Sequence, residues 1–593
     1  MTAAVERVED RLSDFTRDKR VLVLSLMATV IGALSALVAQ ALVWLIATIT
    51  NVAFYGRLSS FFISPANHRL GVWVIFIPII GGLIIGLMAR YGSEKIRGHG
   101  IPEALEAILF GRSRMEPKIA LLKPLSSAIA IGTGGPFGAE GPIIMTGGAI
   151  GSLFAQLFHL SAAERKSLLV AGAAGGMSAI FASPVAAVLL AVELLLFEWR
   201  PRSFIPVAIA SAVAYGIRLL LLGYGPIFPV TLHNEVNGGI LIASALVGIV
   251  AGVASGLLTS LVYFCEDVFH KLPIHWMWWP AIGGLFVGVG GWYDPRVLGV
   301  GYDTIDQILR GKLTGSLLLG LLIGKALVWS ISLGSGTSGG VLAPLLMMGG
   351  ALGALAARWL PIGDVSLWAM IGMAAMMAGT MRSPLTAMVF TLELTHDLNL
   401  LPALLVGCIS AHALTVLMLR RSILTEKVAR RGYHITREYT VDPLATLRVG
   451  EVMDQNPPLI FANMTVSELS DKLAQRDPVL SRRQGTLIVD DERKLVGIIT
   501  RGDLLRVLDQ QPADNLKVID AGSSKLIVCH ADEPLHDAIS RMVRHDIGRL
   551  PVVSRVDPHE PLGYLGRASV MAARLRRLEE EHDRQAGWLS GTA

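Results

Sequence analysis

Glu140 is the residue best placed to do chemistry in this sequence. It lies in GPFGAEGP (135–142), where glycines and prolines precede a long apolar stretch. Two other turns share that setting, GHGIPE (98–103) and GSGTSGGVLAP (334–344). Each marks a point where an apolar helix begins or resumes. A helix start exposes several unbonded N–H groups and carries about half a positive charge from its aligned peptide dipoles. Glycines let a ligand approach that backbone without side-chain obstruction. Several such starts converging inside a bilayer would bind an anion and repel a cation. A carboxylate at one of them would occupy the anion's place and compete with it. An ionisable group within apolar sequence costs at least about 2.5 kcal/mol on insertion scales, and such groups usually have a role.

The elements that must position these turns are present twice. GPIIMTGGAIG (141–151) returns as APLLMMGGALG (343–353), and FASPVAAVLLAVELL (181–195) returns as MRSPLTAMVFTLELT (381–395). Pro142 and Pro344 are offset by 344 − 142 = 202, as are Lys123 and Lys325; Pro184 and Pro384 are offset by 200. Duplicated halves broken by Gly and Pro are the pattern of carriers whose substrate binds between repeats. Duplication also separates function from framework. The counterpart of Glu140 is Leu342, so the fold requires no acid there. Glu193 recurs as Glu393, which predicts a structural acid that accepts backbone or hydroxyl hydrogen bonds. Lys123 and Lys325 read as structural for the same reason, with added positive potential on the pathway as the second reading. Gly147, Gly148, Gly349 and Gly350 read as residues that let helices pack closely.

The whole chain fits a polytopic membrane protein: 593 residues, 52% hydrophobic and 17% charged, with a mean hydropathy of +0.55. Runs near 21–50, 203–223, 239–268 and 314–333 approach or exceed the roughly 20 residues of a spanning helix. Segments around 119–131, 143–158 and 344–358 are interrupted, which a membrane tolerates only where protein or a water-filled cavity surrounds the exposed backbone. Cys265, Cys408 and Cys529 match no metal or disulfide spacing. A net charge of +5 implies no nucleic-acid partner. The first twenty residues lack the apolar core of a cleaved signal. Arg420, Arg421, Lys427, Arg430 and Arg431 follow the last apolar run and place that end in the cytoplasm. From about 442 the pattern becomes strand, helix, two strands, helix, stated twice.

The turns and the repeat together resemble the CLC family of chloride channels and proton/chloride exchangers. GHGIP (98–102) is similar to the family's GSGIP, GAEGP (138–142) to GREGP, and GVLAP (340–344) to GIFAP. The resemblance implies an α-helical polytopic membrane protein with an inverted internal repeat. It implies a homodimer with one chloride pathway in each subunit and no required cofactor or metal. Glu140 becomes the gating glutamate. Gly98, His99, Gly100, Ile101, Pro102, Gly138, Gly141, Pro142 and Gly340 would surround the anion, and the N–H groups of Val341 and Leu342 would contact it. Three positions depart from the family. Its serine in the first turn is His99, and its tyrosine after the last membrane helix is Leu424, so both hydroxyl donors of the central site are replaced. His99 either donates an N–H in their stead or points away. Its inner proton glutamate falls at Leu194, which cannot carry a proton. The expected mechanism is therefore passive, channel-like conduction; the alternative is proton-coupled chloride antiport.

The C-terminal pattern looks like a tandem pair of cystathionine-β-synthase (CBS) domains, an α/β fold that in other proteins binds adenine nucleotides through Gly-x-x-Thr-x-x-Asp. GIITRGD (497–503) matches with Gly497, Thr500 and Asp503; GYLGRAS (563–569) departs with Gly566 and Ser569. One site for ATP, ADP or AMP is expected, or else a scaffold without ligand. The expected organisation is a cytoplasmic segment 1–20, a membrane domain 21–440 with repeats at about 71–225 and 276–420, CBS domains at 447–510 and 516–576, and a disordered tail 577–593. Both ends are expected in the cytoplasm, with the protein in a plasma or inner membrane. No Ser/His/Asp set, zinc-binding HExxH or P-loop supports an enzyme. A CBS-regulated divalent-cation channel would need acids along the pathway rather than Gly-rich helix starts.

Overall fold

The structure is a computed structural model that describes residues 20–230, 236–313, 315–431, 447–480, 484–510, 515–582 and 584–585. It divides into two compact bodies, one formed by 1–431 with 584–593 and the other by 432–583. The expected end of the membrane domain at 440 falls in 432–446, outside the described residues, as does the N-terminal segment 1–19.

The first body is helical. Among the described residues, six stretches are long and apolar enough to cross a bilayer, from Arg20–Tyr55 (36 residues) to Leu398–Arg430 (33 residues). The chain is thus an integral membrane protein. Its interrupted segments form shorter helices, Pro117–Gly132, Glu140–Gln156 and Leu342–Ala356. Glycine sets how closely these pack. A Cβ on Gly147 would overlap the carbonyl of Gly172, and one on Gly349 would overlap that of Gly372. The same backbone contact is therefore made once in each half, as the close-packing reading requires.

The second body holds two three-stranded sheets of identical topology. Leu459–Phe461 runs parallel to Gly485–Val489, which is antiparallel to Leu495–Thr500. Cys529–His530, Arg549–Val553 and Pro561–Gly566 repeat that order. Leu487 and Leu495 of the first sheet share a core with Val553 and Tyr564 of the second. Cys529, on the first strand of the second sheet, is fully buried, and burial pushes its thiol up to about 12, leaving it unreactive. The segment expected as a disordered tail, 577–593, is described only in part. The Arg567–His582 helix covers its first residues, and Arg584–Gln585, which belong to the first body, pair with Leu160–Ser161. Residues 586–593 lie outside the described residues.

Candidate anion site

The three Gly-rich turns meet. Gly98 N–H donates to the Thr337 carbonyl at 2.9 Å, joining the first turn to the third. Gly340 N–H donates to the Gly138 carbonyl at 2.9 Å, and Gly138 N–H returns a bond at 3.4 Å, joining the third to the second. Ser338 is held by Ser126 at 3.1 Å and by Ser127 at 2.8 Å, both from the Pro117–Gly132 helix. Glycine is required at these junctions. A side chain on Gly141 would overlap the His99 carbonyl, and one on Gly138 would overlap the Glu140 carboxylate.

Glu140 opens the Glu140–Gln156 helix and is fully buried. Its Oε1 accepts the Ala343 N–H at 3.2 Å, in the first turn of Leu342–Ala356, the matching helix of the other half. Its Oε2 has no hydrogen-bond partner. The carboxylate thus lies between two helix starts, one from each repeat, where the potential favours negative charge. The amide that reaches it is that of Ala343, one residue beyond the expected Val341 and Leu342. Both of those are fully buried at the same helix start.

The duplicated charges are framework. Lys123 Nζ donates to the carbonyls of Ile96 (2.8 Å) and Gly98 (2.7 Å). Lys325 Nζ donates to those of Val297 and Gly299, both at 2.9 Å. This pairing exposes a repeat that the sequence concealed, in which GVGYDT (299–304) is the counterpart of GHGIPE. Gly98 and Gly100 have φ of +84° and +90°, and Gly299 and Gly301 have +64° and +79°. Each loop opens a helix, at Ile101 and at Tyr302.

Glu193 and Glu393 cap each other's repeat. Glu193 accepts from Leu385 N–H (3.2 Å), Thr386 N–H (2.9 Å) and the Thr386 hydroxyl (2.6 Å), at the start of Pro384–Thr395. Glu393 accepts from Val185 N–H (2.9 Å) and Ala186 N–H (2.8 Å), at the start of Pro184–Leu190. Leu194 is fully buried in a π-helical turn, Ala191–Leu196. Removing a cap leaves helix-start donors unmet. Because the Val185 end is exposed, Glu393→Ala should cost about 1–3 kcal/mol, less than for a sealed site. Thermal unfolding in detergent measures it. An unchanged melting temperature would show that the cap is dispensable, whereas Glu393→Gln, which keeps an acceptor, should lose less.

A cavity of about 570 Å³ opens beside the first Gly-rich turn, and Leu424, fully buried, is not among the residues that line it. Lys427, three residues further along the Ile423–Arg430 helix, does line it, as do His99 and Tyr263. The Tyr263 hydroxyl donates to the Ile423 carbonyl at 2.5 Å. The basic cluster expected to mark the cytoplasmic side is largely paired within the protein. Arg431 binds Glu106 at 2.7 Å and Glu103 at 3.2 Å, and Arg430 binds Asp267 at 2.5 Å.

A duplicated membrane fold whose helix starts meet at a buried carboxylate is that of an anion transport protein. Residues 81–416 match the family described as voltage gated chloride channel, and residues 449–510 and 518–576 match the CBS domain. The voltage-gated ClC-type chloride channel ClcB of Escherichia coli O81 (strain ED1a) is 31% identical over 382 residues, covering 62% of this chain and 90% of that protein. A slow cyanobacterial Cl−/H+ antiporter of known structure has a TM-score of 0.63 at 22% identity, covering 70% of this chain and 98% of its own. A eukaryotic CLC transporter has a TM-score of 0.60 at 19% identity, covering 92% of this chain and 98% of its own. The chain belongs to the voltage gated chloride channel (CLC) family and carries a C-terminal pair of CBS domains.

Proposed function

We propose that the protein carries chloride or a related small anion across a plasma or inner membrane, with both ends in the cytoplasm. Each subunit of a homodimer holds one pathway, gated by Glu140, and conduction is passive. The observation that carries this reading is the Glu140 carboxylate seated on the Ala343 amide of the opposite repeat. A side chain that takes the anion's place from one half and is held by the other can block the pathway and, when displaced, open it. Leu194 supports passive conduction because it offers no proton acceptor. The homodimer rests on the family resemblance. Flux of chloride against magnesium in the same vesicles tests the class of ion. Chloride efflux with no magnesium entry is expected, and the reverse would replace this reading with a cation channel.

The CBS pair is proposed to bind adenine nucleotide at Gly497, Thr500 and Asp503. The Thr500 hydroxyl donates to Asp503 at 2.6 Å, and Asp503 N–H returns a bond to it at 3.3 Å, at the start of Arg501–Gln510. That capping pair holds a hydroxyl and a carboxylate together at a helix start, where ribose and phosphate groups find donors. Calorimetric titration of the whole protein with ATP, ADP and AMP should detect binding that Thr500→Ala weakens about tenfold. No heat at millimolar nucleotide would leave the pair as a scaffold.

A further inference from the structure

The loop GVGYDT (299–304) reaches the neighbourhood of Glu140 from the second half. Gly299 N–H donates to the Gly134 carbonyl at 2.9 Å, just ahead of GPFGAEGP. The counterpart of that bond runs from Gly98 N–H to the Thr337 carbonyl, so each loop of the pair is fastened to a turn of the opposite half. Gly301 follows with a φ of +79°, and a Cβ on it would overlap the methyl of Met347. Met347 lies on Leu342–Ala356, whose first turn holds the Glu140 carboxylate through Ala343. Tyr302 is the next residue and opens the Tyr302–Leu309 helix. Its ring meets that of Phe228 edge-on, with centroids 5.9 Å apart. Phe228 is itself buried, and its N–H donates to the Leu394 carbonyl at 3.0 Å. Among the described residues, Glu140 is the charged group close enough to act on the Tyr302 hydroxyl, and that hydroxyl has no hydrogen-bond partner. Glu140 Oε2 is buried and has none either. A buried acceptor left unmatched near an unmatched donor is rare in a folded protein and needs an account.

We propose that the Tyr302 hydroxyl receives the Glu140 carboxyl when it leaves the Ala343 amide, and so holds the gate in its open position. The assignment rests on the gating reading of Glu140 and adds a positioning residue for the open state. A charge moved within a protein interior to a place without donors costs more than the single bond it gives up. A phenol O–H is such a donor, on a ring that Phe228 keeps in place, so the released carboxylate exchanges one hydrogen bond for another. The first-half counterpart of Tyr302 is Ile101, so the framework requires no hydroxyl at this position. A hydrogen bond to a charged acceptor is stronger than one to a neutral acceptor, so the hydroxyl matters most while Glu140 is ionised.

The test is chloride efflux from liposomes holding the full-length protein, with Tyr302→Phe made in wild type and in Glu140→Ala. Tyr302→Phe keeps the ring and its contact with Phe228 and removes the hydroxyl. In wild type it should lower flux about tenfold at about pH 8, where the released carboxyl is charged, and about threefold at about pH 5. In Glu140→Ala, which has no carboxyl to receive, it should lower flux by less than about twofold at either pH. Lys325 and Asp303, the other charged residues of and beside this loop, are present in all four proteins, so a loss that requires Glu140 is read on Glu140 alone. A merely structural role would lower flux equally in both backgrounds. That equal loss, or wild-type flux in Tyr302→Phe at both pH values, would overturn the assignment. Flux in Glu140→Ala no higher than in wild type would instead remove the gating reading itself.

Discussion

Replacing Glu140 with glutamine is expected to open the pathway and to flatten its response to pH. The carboxylate is held by the Ala343 amide and by two helix starts. A hydrogen bond to a charged acceptor contributes about 1.5–3 kcal/mol, and a helix start adds about 0.3–2 kcal/mol for a negative charge. Glutamine keeps the shape and loses the charge, so the side chain holds the site less well and an anion competes better. Apparent anion affinity should rise about tenfold or more. In the native protein, a proton on Glu140 does reversibly what the substitution does permanently. Wild-type flux should therefore increase as pH falls, while the variant stays level between about pH 5 and 8. Chloride efflux from liposomes across that range measures both. Identical rates and identical slopes would sink the gating role.

With opposed chloride and proton gradients across liposomes, the reversal potential should sit at the chloride equilibrium value and ignore the proton gradient. The effect is all or none, because obligatory coupling moves the reversal potential with every change in either ion. Leu194 is fully buried, and the resemblance to the family puts it at the position of the exchangers' proton acceptor. The neighbouring acid is no substitute, since Glu193 is engaged by two amides and a hydroxyl of the other repeat. Glu103 is likewise held, by Lys427, Arg431 and the Gly100 amide. A reversal potential that follows pH would mean antiport and would require a proton route through water or through one of these engaged acids.

How much of this was legible beforehand follows from how local each signal is. The repeat, the short broken helices and the structural acids could be read because each is written twice. Glu193 and Glu393 announce their role by recurring, and Glu140 announces its own by not recurring. GVGYDT was missed as the partner of GHGIPE. It lacks the proline after the second glycine, and only its positive-φ glycines and the Lys325 anchor reveal the match. Lys427 could not have been found from spacing at all. Nothing in the sequence near 427 states that the chain folds back onto Gly98, so the residue read only as one charge in a basic cluster. Leu424 stands at the position of the family's tyrosine only by the resemblance; the structure shows it fully buried on the same helix as Lys427.

The crossed carboxylates also bear on how the protein is made. Val185 and Ala186 open a helix in the first half, yet the acid that satisfies their amides lies 208 and 207 residues further along. At translation rates of about 5–20 residues per second, the ribosome needs roughly 10–40 s to reach it. Throughout that interval those amides are without Glu393, at a cost of about 1–3 kcal/mol to the helix start they open. The first half therefore waits for an acid of the second, whereas the second half's helix start meets its own acid, Glu193, already in place.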